Sequence, residues 1–135
     1  MANFHKLVRR RNETPGVQKI CTALCSFNGL TKFSSETGGC CGKTNQGHVT
    51  VQCTKTQNIL QTYNVSRVDF WSLDVEGGEM DVLIGLNWTI PIYVLLIESV
   101  TPPIRKILKK NGFHLHRFRS PSRLNEIWVN EDAKP

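Results

Sequence analysis

Hydrophobic positions along this chain change their spacing several times, and each change predicts an element. Residues 68–75, Val-Asp-Phe-Trp-Ser-Leu-Asp-Val, form an apolar run with β-branched and aromatic members. It stops at Asp74, Val75 and Glu76, and Gly77 and Gly78 follow. A buried parallel strand hands over to a helix in this way. Residues 79–86 take up helical spacing, with Met80, Leu83, Ile84 and Leu86 expected toward a sheet. Residues 92–99 read as a second central strand ending in Glu98. Strand, helix and strand in that order predict a right-handed parallel crossover. Pro102-Pro103 start the next helix, where proline is tolerated, and Asn111-Gly112 end it. Residues 113–119 and 124–130 predict a closing antiparallel hairpin around Ser120-Pro121-Ser122-Arg123.

The first half is less regular. Residues 4–11 mix apolar and basic positions like the end of a helix, which Pro15-Gly16 breaks. Val17, Ile20, Ala23, Leu24 and Phe27 fit a strand ending near Ser26, with a turn at Asn28-Gly29 and a short returning strand over 30–33. Residues 37–47 are rich in Gly, Thr and Asn and read as a loop, and residues 49–53 alternate as a short strand. From Thr54 the pattern is helical, with Ile59, Leu60 and Tyr63 on one face, Asn64 at the end, and Thr54 or Thr56 as N-cap.

Length changes the picture little. The 135 residues fit one domain able to bury roughly two thirds of its unfolded surface. No apolar run approaches the ~20 residues of a bilayer span. The longest, 90–97, is interrupted by Pro91, and the N-terminus lacks the apolar core of a signal peptide. A soluble chain, cytoplasmic by default, is expected. The net charge of +6 gathers at Lys6, Arg9, Arg10 and Arg11 and again at Arg105, Lys106, Lys109 and Lys110. The second group lies on the helix whose apolar positions are Ile104, Ile107 and Leu108, so it reads as a solvated face. No aromatic residues interleave with either group as a base-stacking platform would require, and nucleic acid is not an expected partner.

Cys21, Cys25, Cys40, Cys41 and Cys53 all fall in the first 53 residues. Paired Cys-x2-Cys spacing is missing, so metal ligation is not expected, and an odd count argues against a complete disulfide framework. Buried or free thiols are the default. Asn12-Glu-Thr, Asn64-Val-Ser and Asn87-Trp-Thr match the N-glycosylation pattern. Ten asparagines produce such matches by chance, and without a signal peptide they carry little weight.

Ligands of open α/β sheets bind just beyond the carboxyl ends of the strands, which singles out Asp74, Glu76 and Glu98. A carboxylate there can take a proton or hold an ammonium group. The same residues can instead satisfy backbone amides, and Glu76 and Glu79 can stabilise a helix N-terminus. Asp74 and Glu76 would converge on one ligand only if the chain turns at Val75. His114 and His116 share one face of a strand without a third ligand nearby and read as surface residues, and Trp128 reads as packing.

Residues 73–83, Leu-Asp-Val-Glu-Gly-Gly-Glu-Met-Asp-Val-Leu, resemble the signature of FkbM-type methyltransferases, which use S-adenosylmethionine. The likeness continues through Gly85-Leu-Asn-Trp88, Val94-Leu-Leu-Ile-Glu98, the 104–112 helix and Asn125-Glu-Ile-Trp-Val129. It is close over residues 49–130 and fainter before. The resemblance implies an α/β fold, a partial Rossmann-like (class I methyltransferase-like), mostly parallel sheet with a C-terminal antiparallel hairpin. Residues 1–48 would be a divergent segment of the same domain, and 49–135 the C-terminal half of the methyltransferase domain. The implied reaction moves a methyl group from S-adenosylmethionine to an oxygen acceptor, such as a sugar or natural-product hydroxyl. Asp74 and Glu76 take the catalytic positions, and Asp74, Gly77 and Glu98 the cofactor-binding ones. The implied partner is a small-molecule or glycan acceptor, and no metal is implied.

Two family features have no counterpart. The first strand's glycine-rich cofactor loop is missing, because Gly38-Gly39-Cys-Cys-Gly42 has neither a strand before it nor a helix after it. The acidic residue that ends the second strand is missing too. Mapped onto the family, residue 1 falls after the second strand, and residues 17–26 would be the third. The two absent strands would lie beside the strand ending at Asp74 and leave its edge unpaired and apolar. The chain is expected to be a portion of a longer enzyme that binds the cofactor poorly by itself. The alternatives are a non-catalytic binding or trafficking module, resembling membrane-anchored animal and algal relatives, and a zinc-bound interaction domain.

Overall fold

The computed structural model describes residues 16–33, 49–116 and 125–135. Their elements run β1 (Ala23–Leu24), β2 (Gly29–Phe33), β3 (Val49–Thr54), α1 (Thr56–Thr62), β4 (Val68–Leu73), α2 (Glu79–Ile84), β5 (Ile92–Glu98), α3 (Pro102–Lys110), β6 (His114–Leu115), β7 (Asn125–Val129) and a 3-10 turn (Glu131–Ala133). The expected helix end at 4–11, the glycine-rich loop at 37–47 and the tip of the closing hairpin lie outside the described residues.

The strands form two sheets. The second has the order β4-β5-β7-β6. β4 and β5 are parallel, in a register running from Val68 opposite Ile92 to Leu73 opposite Ile97. β7 runs antiparallel to both β5 and β6, so the parallel pair and the antiparallel close stand as expected, but the sheet is not mostly parallel, since one of its three pairings is parallel. β5 has a neighbour on each side, which explains why its sequence is a near-continuous apolar run. Leu95 and Ile97 are fully buried, among Val82 and Leu83 of α2, Ile104 and Leu108 of α3, Phe113 and Trp128.

α3 follows directly from its sequence. Pro102 and Pro103 stand in its first turn, where the missing amides cost nothing. Ile104 and Leu108 are buried, while Arg105, Lys106, Lys109 and Lys110 are exposed. The helix ends as a Schellman motif, with the Phe113 amide donating to Leu108 O at 3.0 Å and the Gly112 amide to Lys109 O at 3.3 Å. Gly112 has φ +85°, which explains the glycine there.

α2 differs from expectation in the face it buries. Ile84, expected against the sheet, is 55% exposed. The buried positions are Glu79, Val82, Leu83 and Leu86, a stripe at i, i+3, i+4 and i+7. The stripe begins at a glutamate, which a count of apolar positions passes over. α1 differs in its start. Its N-cap is Lys55, which makes no side-chain cap bond, and Thr56 lies inside the helix. The Lys55 amide is instead satisfied from outside the helix by Asn28 Oδ1 at 3.0 Å.

The first sheet has the order β1-β3-β2, with β1 parallel and β2 antiparallel to β3. The strand expected over 17–26 is shorter, only Ala23–Leu24. Pairing of Ala23 with Cys53 brings Cys25 alongside, and Cys25 and Cys53 form a disulfide with Cα atoms 5.6 Å apart. This corrects the expectation of thiols. Parity could speak against a complete framework but not against one pair, and strand pairing selects that pair. Cys21 is free and exposed.

The two sheets do not join edge to edge. Val68 N donates to Pro91 O at 2.9 Å, so the amides of Asp69, Trp71 and Leu73 face the other side of β4. No strand among the described residues pairs there. Beside it lies an apolar cleft of about 350 Å³ between Ile20 and Leu24, Ile59 and Leu60 of α1, and Val68 and Trp71 of β4.

Candidate active site at the carboxyl ends of two parallel strands

The ladder between β4 and β5 ends at Leu73 and Ile97, so the next register position sets Asp74 beside Glu98. Hydrogen bonding with Asp74 raises the Glu98 carboxyl above the ordinary glutamate range. The charge of Asp74 raises it further, followed by burial and the charges of Glu76 and Glu79. A neighbouring acid and a hydrogen bond to its neutral form both disfavour the ionised form of Glu98.

The chain does turn at Val75. Gly78 N donates to Val75 O at 3.2 Å, and the central residues Glu76 and Gly77 have φ of 53° and 92°. Two left-handed residues in succession give the tight turn its direction, and glycine supplies one of them without strain. The turn keeps Glu76 exposed and within electrostatic reach of Glu98. Sequence reasoning made that turn the condition for convergence, and the condition is met.

Beneath the turn sits Glu79, 2% exposed. Its Oε1 accepts hydrogen bonds from the amides of Val75 at 3.3 Å and Gly77 at 3.2 Å. A charged acceptor on two loop amides is stronger than a neutral one and fixes the loop above it. The Gly77 amide is thus taken up internally. No atom lies within 4 Å of the position a Cβ on Gly77 would occupy, so its outer face is open. The signal for Glu79 was its place at the head of the buried stripe of α2.

Asn125 is the register partner of Glu98 on β7, so it stands at the same end of the sheet. Trp128 is 1% exposed, and its indole N–H donates to Glu126 Oε2 at 3.0 Å, which makes it core packing. His114 and His116 are exposed. Among the described residues no three histidines, cysteines or acids are grouped to hold a metal ion. Nor is any helix among them long and apolar enough to cross a membrane.

The site gathers carboxyl groups, which can accept a proton and attract a cationic group. Its acids fit the ammonium end of an amino-acid-bearing cofactor. For a ribose, the other parallel strands offer no carboxylate, since Cys25 follows β1 and Lys55 follows β3.

No curated protein and no solved structure matches the chain. A family model, the methyltransferase FkbM domain, matches residues 11–115. The match contains the β4–α2 turn with Asp74, Glu76, Gly77 and Glu79, as well as Glu98, and covers most of the chain. The chain belongs to the FkbM methyltransferase family.

Proposed function

We propose that this chain forms the acceptor and methionine side of an S-adenosylmethionine-dependent O-methyltransferase. The observation that carries the reading is the placement of Asp74 beside Glu98 at neighbouring parallel strand ends. The order β4-β5-β7-β6 with β7 reversed supports placing it in one half of a Rossmann-like sheet. When bound, S-adenosylmethionine supplies an electrophilic methyl group. Asp74 and Glu98 would face its ammonium, and Glu76 would add negative charge above the turn. Asp74 would also orient an acceptor hydroxyl, of a sugar or natural product, and take its proton. The open face of Gly77 leaves room for the ligand to approach the backbone.

The test is a calorimetric titration with S-adenosylhomocysteine, the product form of the cofactor. Weak, saturable one-to-one binding is expected, weak because no carboxylate among the described residues is placed to hold the ribose. Asp74→Asn should abolish it. Binding unchanged in Asp74→Asn, or methyl transfer surviving that substitution, would overturn the assignment.

A further inference from the structure

Two features outside the site point to the same cellular environment. The first is the disulfide between Cys25 and Cys53, whose residues are 1% and 0% exposed. Closing it takes two electrons and two protons from the thiols to a disulfide-exchange oxidant. Oxidising lumens supply such an oxidant, while the cytosol keeps thiols reduced.

The second is the setting of two Asn-x-Ser/Thr triplets, Asn64-Val65-Ser66 and Asn87-Trp88-Thr89. The third match, at Asn12, lies outside the described residues. Asn64 and Asn87 are both exposed. Asn64 has φ 52° where the chain leaves α1. Asn87 Oδ1 accepts from the Thr89 amide at 3.1 Å and from the Thr89 hydroxyl at 2.8 Å. This turns the carboxamide oxygen inward to its own triplet. Trp88 is held in place by an edge-on contact with Phe113, with ring centroids 6.1 Å apart.

Position in the fold adds a third argument. Asn64 precedes β4 and Asn87 precedes β5, so both stand at the amino ends of the parallel strands. Asp74, Glu76 and Glu98 stand at the carboxyl ends, about 20 Å away at ~3.3 Å per strand residue. Bulky groups on these asparagines would leave the candidate site open.

We infer that the chain matures in an oxidising secretory lumen and carries N-linked glycans at Asn64 and Asn87. The donor is an oligosaccharide carried on a lipid pyrophosphate. A bond forms between the asparagine Nδ2 and the sugar's anomeric carbon. The bond from that carbon to the pyrophosphate oxygen breaks, its electron pair leaves with the pyrophosphate, and the amide loses one proton to a base of the transferase. This assignment replaces the cytoplasmic default and is independent of the methyl-transfer reading.

The test uses protein isolated from its own source. Peptide N-glycosidase digestion in oxygen-18 water converts each glycosylated asparagine to a heavy aspartate that peptide mass spectrometry locates. Heavy aspartate is expected at 64 and 87, and unmodified asparagine at either position overturns the assignment there. Expressed through a secretory pathway, Ser66→Ala and Thr89→Ala should each remove one glycan, and Thr89→Ser should keep it. Alkylation before reduction should spare Cys25 and Cys53, and labelling of both would overturn the compartment.

Discussion

Glu98 stands beside Asp74 across the carboxyl ends of β4 and β5, and hydrogen bonding and charge from Asp74 raise its carboxyl above the ordinary glutamate value of 4.5. The folded chain therefore releases the Glu98 proton at a higher pH than the unfolded chain does. For an acid raised in the folded state, the stabilisation is full below the unfolded pKa. It is lost as pH rises through the folded one. Denaturant titrations from pH 4 upward should show the wild type losing stability relative to Glu98→Gln. Parallel curves for the two proteins would refute the raised Glu98 carboxyl.

Glu79→Ala removes the acceptor of the Val75 and Gly77 amides beneath the turn. A loss of about 1.5–3 kcal/mol is expected, the range for hydrogen bonds to a charged group. Chemical denaturation measures it, and hydrogen exchange should show both amides losing protection.

Gly85 follows α2 and lies against the first sheet. A Cβ there would stand 2.6 Å from the Cys25 carbonyl oxygen, a backbone atom that cannot swing away. Gly85→Ala should cost roughly 1–3 kcal/mol, as overpacking does, although alanine is the better helix former. An unchanged melting temperature would mean that the two layers are not in contact.

The Cys25–Cys53 disulfide closes a sequence separation of 28 residues. Loop-closure entropy alone predicts about 3–4 kcal/mol of stabilisation. Thermal melts with and without reductant should differ accordingly, and Cys53→Ala should behave like the reduced protein.

The parallel pair β4 and β5, the helices after them and the closing hairpin were legible because their apolar runs and glycine or proline breaks agree. The turn holding Glu76 and Gly77 was legible for the same reason, since two glycines interrupt a strong pattern. What stayed hidden depends on distant partners. Glu79 reads as a charge at a helix N-terminus until the loop amides of Val75 and Gly77 are placed above it. Ile84 reads as core until that buried glutamate fixes the face of α2. The carbonyl of Gly85, from another part of the chain, accepts the Gln57 amide of the first turn of α1, where a threonine cap was expected. Cys25 and Cys53 become a pair only when β1 lies along β3.

The side of β4 that no described strand fills bears on how this chain behaves in bulk. Phe70 is 59% exposed, and the only described ion pair on this strand, between Arg67 and Asp69, lies in solvent that salt can screen. An extended segment of any neighbouring molecule can complete the ladder that the amides of Asp69, Trp71 and Leu73 begin. Self-association through that edge would depend on concentration rather than on folding free energy. A dilute sample can melt and recover cooperatively while a concentrated one is lost to self-association at a temperature where every molecule is still native.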